Sequence, residues 1–266
     1  MEERWPSGDD SGGVGVPPLS RRGRVGARLC GAGRAPCSGP IVSRELKEGI
    51  HLTEKVADLS GELDSQARRA VVAEARDGLS RPGVLAGAEA RVPNRPGLYA
   101  IHGDRQTWNE LGLGDPPDAR PLYIGKAEDS LVTRDLKTHF GDGRTGRATV
   151  RRSFAALLHE TLSLRGIPRN INKPGYFSSF GLSAADDAAL TRWMGRRLLL
   201  ATWQKPADCA FALEEIEGEL LGELAPPLNL KGAATPWTTQ VKEARALMAD
   251  EARDWKRQSA VAEGSP

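Results

Sequence analysis

The sequence predicts a domain in which a few short strands mix with several helices, and three observations carry that reading. Pro96–Ile101 and Pro121–Gly125 alternate with period two between turn residues, as short strands do, and Leu198–Trp203 reads as a third. Several segments place apolar residues three and four apart, the spacing of a helix face. No repeat at a fixed period appears, which sets aside solenoids and propellers. A length of 266 residues fits one domain with appendages.

Residues 1–42 are dense in Gly, Pro and Arg and hold almost no large apolar side chain, so they cannot offset their ordering entropy and read as a disordered tail. Three readings of the tail stand: an arginine-bearing nucleic-acid contact, an extension without function, or a mis-assigned start. Residues 43–89 form a helical extension, in two pieces from Ser43 to about Leu59 and from Asp64 to Asp77, the second with Val71, Val72 and Ala75 on one face. The main domain spans 90–231. Its first two strands flank a Gly-, Pro- and Asp-rich loop over 103–119. Period two puts Leu98 and Ala100 on one strand face, Leu122 and Ile124 on another, and Tyr99 and Tyr123 opposite these pairs. Taken alone, two strand tyrosines are ordinary, since Tyr favours strands.

A helix from about Leu131 to Phe140 follows the acids Glu128 and Asp129 and the capping residue Ser130. The next runs from about Thr149 to Arg165, with Gly166 as its stop. Ser183 caps a third, with Asp186 and Asp187 in its first turn. Another helix runs from about Pro206 to Leu224. Residues 232–266 hold a last helix, begun by Thr235-Pro236 with Val241, Ala244, Met248 and Trp255 along one stripe, and then a tail.

Composition excludes several classes. No run approaches the ~20 apolar residues of a membrane helix. A secretory signal is not expected, because no apolar stretch follows the start. Three cysteines make an odd, sparse set, which argues against a disulfide scaffold and for a reducing compartment, expected to be the cytoplasm. Four scattered histidines and no Cys-x-x-Cys pair leave a structural zinc site too few ligands. A P-loop is absent. The net charge is only +2, but 28 of the 37 basic residues are Arg, the side chain suited to bidentate phosphate contact.

Five features fall in order along 90–231: Gly97-Leu98-Tyr99, Tyr123-Ile124-Gly125-Lys126-Ala127, Arg134, Glu217, and Pro226 with Asn229. Each is weak alone; together they resemble the GIY-YIG nuclease domain, a family named for its two strand motifs, with members among excision-repair, homing and restriction endonucleases. The resemblance implies an α+β fold, a small and mostly antiparallel three-stranded sheet flanked by helices. It also implies a metal-dependent endonuclease acting on DNA, with a non-cleaving nucleic-acid-binding module on the same fold as the alternative. Leu98 stands where the family name has Ile, and the interval between the motifs is long. Five residues separate Arg134 from His139, which on an ideal helix turns their side chains about 140° apart. His139 is therefore read either as a site residue or as a helix-end histidine.

The chemistry gives each residue type a reason. Phosphodiester hydrolysis needs a base for water, neutralisation of phosphoryl charge and support of the leaving oxygen. An ordinary Tyr titrates near pH ~10, and nearby cations favour its charged form. The resemblance makes Tyr123 the general base and Tyr99 a positioning residue, with Arg134 as a planar phosphate clamp and Lys126 supporting the same field. Glu217, bordering the apolar stripe of its helix, is the expected ligand for Mg²⁺ or Mn²⁺, since such a cation is often held by one or two carboxylates plus water. Asn229 is expected to brace the site through hydrogen bonds. The partner is nucleic acid, expected to be DNA. Its backbone contacts fall on the loop carrying Arg144, Arg147, Arg151 and Arg152, although a solvated basic surface explains any one of these arginines equally well.

Overall fold

The structure, a computed structural model, describes residues 42–85, 88, 91–132, 140–141, 143–170, 179–231 and 235–263, with side chains within 61–255. Contacts divide the chain into Met1–Thr53 and Glu54–Pro266. All but the last position of the predicted tail lies outside the described residues, and Val42 opens a helix. The sheet and the candidate site belong to the second unit.

The described elements of that unit are α1 (Val42–Leu79, entering from the first unit), β1 (Gly83–Val84), β2 (Gly97–Gly103), α2 (Arg105–Glu110), β3 (Tyr123–Ala127), α3 (Thr149–Leu157), α4 (Ala184–Arg197), β4 (Leu198–Gln204), α5 (Leu213–Leu224) and α6 (Thr238–Glu263). The architecture is α+β. All strand pairs are antiparallel, and the order β1-β4-β2-β3 makes the sheet four-stranded where three strands are predicted. The extra strand is two residues long, Gly83 and Val84 against Leu200 and Leu199. Such a piece has no period to read.

Both faces of the sheet are covered, which is why β2 is buried along nearly its whole length. Leu98, Ala100 and Ile124 meet Val72, Ala75 and Leu79 of α1 and Ile216 and Leu220 of α5. Tyr99 and Ile101 face the other way, in the cluster with Phe154 of α3, Met194 of α4 and Met248 of α6. Each of the larger aliphatic, Phe and Met side chains among these contributes roughly 1.5–3 kcal/mol on burial. Leu122 belongs to this second cluster, not to the face of Ile124 as predicted. It precedes β3, so the strand's pleat does not dictate its direction.

Other boundaries shift for local reasons. The predicted break near residues 60–63 does not occur, because α1 runs continuously to Leu79. The predicted loop 103–119 contains α2, capped by Asp104, whose carboxylate accepts from Thr107 N at 2.8 Å. Helix α3 stops at Leu157, eight residues early, and the chain then turns through Ser163 with left-handed φ of 51°. Gly166 serves instead as a seat for α6: a Cβ there would overlap the Met248 carbonyl. Glu251 of α6 closes that contact, accepting from Gly166 N at 2.9 Å and from Arg165 at 2.8 Å. Ser183 does cap α4, accepting from Asp186 N at 3.1 Å. Helix α5 begins at Leu213, seven residues after Pro206. Of the predicted helix 131–140, residues 133–139 lie outside the described residues.

Candidate active site

Strand β3 is the outer strand of the sheet beside β2, and the site is built on it. The register sets Tyr99 opposite Gly125, so Tyr99 and Tyr123 share one face of neighbouring strands. Their ring centroids lie 6.0 Å apart at 43°. Gly125 has to be Gly, because a Cβ would overlap the Tyr99 hydroxyl and ring carbons. The two phenols differ in access: Tyr99 is fully buried, while Tyr123 is half-buried and lines a cleft of about 710 Å³.

That cleft also takes in Glu217 and Asn229. Helix α5 carries several acids, and most are engaged elsewhere. Glu219 and Glu223 form ion pairs with Arg68 and Arg76 of α1, Glu215 accepts from Ala212 N at 3.1 Å, and Glu214 is largely exposed. Glu217 is half-buried beside Leu221 on the cleft wall. Lys126 Nζ lies 3.0 Å from Glu128 and 3.6 Å from Glu214. Burial works to lower its pKa, yet the bond to Glu128 and the charges of Glu128, Glu214 and Glu217 outweigh that, so the ammonium is held above its ordinary value. Asn229 is buried, and its amide bonds both backbone groups of Ile124.

Arg134 and His139 lie outside the described residues. The basic loop separates into unlike members. Arg144 and Arg147 are exposed. Arg151 corrects the expectation: it is fully buried, paired with Asp187 at 3.1 Å, and donates to Thr191 Oγ1 at 2.9 Å and Thr145 Oγ1 at 3.2 Å. That guanidinium holds α3 to α4 and cannot reach a phosphate. Arg152, one residue on, is only 8% exposed yet lines the cleft.

Two cleft cations escaped the sequence reading, Lys231 and Arg245. Arg245 had a signal. It stands four residues after Val241 and three before Met248, a charge set into the apolar stripe of α6. Lys231 follows Asn229 in irregular chain and had none. Among the described residues, no three His, Cys, Asp or Glu side chains gather as a metal cluster.

The cleft gathers one tyrosine, the two carboxylates of Glu214 and Glu217 and the cations Arg152, Lys231 and Arg245 against a small antiparallel sheet. The GIY-YIG catalytic domain matches residues 116–249, half of the chain, and the protein belongs to that family of phosphodiester-hydrolysing nucleases. Comparison with curated proteins, and with solved structures, gives no match. The matched span contains Tyr123, Lys126, Glu217 and Asn229 and begins after the first motif, which is nonetheless paired to the second through β2 and β3. The family uses divalent metals, and a nuclease domain implies a nucleic-acid substrate. No described helix is long and apolar enough to cross a membrane.

Proposed function

We propose that the protein is a Mg²⁺- or Mn²⁺-dependent endonuclease that cuts DNA at the cleft beside β3. The observation that carries this reading is the meeting of Tyr123, Glu217 and Asn229 in one solvent-open cleft. Tyr123 is the general base, because its phenol reaches that cleft whereas Tyr99 is sealed in the core. Tyr99 positions Tyr123 by packing against its ring. Arg134 clamps the phosphoryl oxygens with its planar fork, and Lys126 keeps a full positive charge near the reacting phosphate. Asn229 braces the strand that presents Tyr123.

The donor set suits a hard cation that keeps its own waters, since two carboxylates, the half-buried Glu217 and the largely exposed Glu214, line an open cleft. Glu217 would hold it, and the ion would supply charge neutralisation at the phosphoryl oxygens. DNA as the substrate rests on the family resemblance, and the cytoplasm as compartment on the sparse cysteines. The reading is tested by incubating the protein with duplex DNA and with RNA, each with Mg²⁺ or a chelator. DNA cut only with metal is expected; cutting confined to RNA, or unaffected by chelator, would contradict it.

A further inference from the structure

Arg151 and Arg152 are adjacent, both buried, and treated in opposite ways. Arg151 has the carboxylate of Asp187. Arg152 has none within salt-bridge distance among the described residues. Its NH1 donates to the Gly146 carbonyl at 3.0 Å and its NH2 to Thr149 Oγ1 at 3.2 Å, while its Nε–H meets no acceptor among the described residues. The charged groups that act on it are Arg245 and Arg169, both cations. Arg245, half-buried on α6, likewise has no carboxylate at salt-bridge distance among the described residues, and both side chains line the cleft.

Buried charges in folded proteins are almost always paired. Here burial and two like charges act together, and the Arg152 pKa falls to about 10, with burial the larger cause and Arg245 and Arg169 adding to it. Burial lowers that of Arg245 as well. Such an arrangement costs stability until an anion enters. The carbonyl of Gly146 and the Thr149 hydroxyl meanwhile fix one end of the Arg152 guanidinium, so that its planar fork is set before any ligand arrives.

We propose that Arg152 and Arg245 form a phosphate-binding site in the wall of the cleft, which takes one backbone phosphate of the strand beside the linkage being cut. The site binds a phosphoryl oxyanion; its assignment to a nucleic-acid strand rests on the nuclease reading above. The substrate is thereby held at two phosphates, one at Tyr123 and Glu217 and one at the paired arginines. This second contact registers the strand without reading sequence.

The test uses the full chain in chelator, with two probes: inorganic phosphate, followed by thermal unfolding, and a duplex DNA, followed by the salt dependence of binding. Phosphate should raise the wild-type Tm progressively with concentration. Arg245→Gln should abolish that rise, and Arg152→Gln combined with Arg245→Gln should lower the log–log salt slope by about 0.9 if one phosphate contact is lost. Arg152 is buried, so the double variant could misfold; Arg245→Glu guards against that. It supplies Arg152 with an internal carboxylate, and should raise the phosphate-free Tm, erase the phosphate response and weaken DNA binding more than tenfold.

A wild-type protein that cuts DNA but shows no phosphate response, with an unchanged salt slope in the double variant, would overturn the arginine site and leave the nuclease reading standing. A phosphate response lost in Arg245→Gln, in a protein that binds neither DNA nor RNA, would overturn the nuclease reading and with it the assignment of the phosphate to a strand.

Discussion

The side chain of Asn229 holds Ile124 by both of its backbone groups: Oδ1 accepts from Ile124 N at 2.9 Å and Nδ2 donates to Ile124 O at 2.7 Å. Ile124 sits on the outer strand, where its N–H and C=O face away from β2. Asn229 therefore acts as a one-residue strand, closing the sheet edge beside Tyr123. Asn229→Ala should leave two buried polar groups unmet, at about 1–3 kcal/mol each. Chemical denaturation should show a loss of that order, with Asn229→Asp intermediate because it keeps only the acceptor. An unchanged stability would assign Asn229 to chemistry instead.

Arg151→Ala should behave as a folding defect. It strips Asp187 of its buried partner, and such losses cost about 3–5 kcal/mol. At temperatures where the variant remains folded, its DNA affinity should keep the wild-type salt slope. A slope reduced by about one unit with intact stability would return Arg151 to the binding surface.

Strands β2 and β3 were legible because both motifs alternate cleanly, and the shared face of Tyr99 and Tyr123 followed from period two. Ser183 was legible as a cap because Asp186 and Asp187 follow it. The fate of Arg151 was not legible. Val150 and Arg152 flank it in sequence with no acid nearby, and its carboxylate partner stands 36 positions away on α4. Helix α2 was hidden by the Gly and Pro around it, although Asp104 and Thr107 at capping distance marked its start. The end of α3 depends on how Gly166 meets α6, a contact between distant segments that helical spacing cannot report. Arg245 is a charge set inside the apolar stripe of α6, and helical spacing reports the stripe without giving its charged member a role.

His102 gives a pH dependence with a defined sign. It is buried, and its Nε2–H donates to the Leu79 carbonyl at 2.8 Å, so the folded state holds the neutral ring. Burial lowers its pKa, which the bond to Leu79 only partly opposes. The unfolded chain therefore takes a proton first, near pH ~6.5. Stability contributed by the neutral ring is present above that pH and falls as the pH drops below it, by at most about 1.4 kcal/mol per unit, until the folded pKa is reached. Denaturation between pH 5 and 7 should show this slope, and His102→Gln should flatten it. Identical slopes in the two proteins would remove His102 as its source.

Glu217→Ala should abolish metal-dependent cleavage and leave DNA binding in chelator nearly intact, because the cleft arginines are untouched. The comparison is a nicking assay beside an equilibrium binding curve. Active Glu217→Ala protein would move the metal to another acid, with Glu214 the next candidate on the same helix.

In the proposed mechanism the phenol at the cleft, and not the one in the core, takes the proton from water. Single-turnover cleavage of one duplex by Tyr123→Phe and Tyr99→Phe, at saturating protein and fixed Mg²⁺, tests it directly. Both substitutions keep the ring and delete only a hydroxyl. Tyr123→Phe should lower the rate by about 10²–10⁴-fold, the range for a lost general base, with binding unchanged. Tyr99→Phe should slow it far less. Equal losses, or a larger loss at Tyr99, would contradict this assignment of the base.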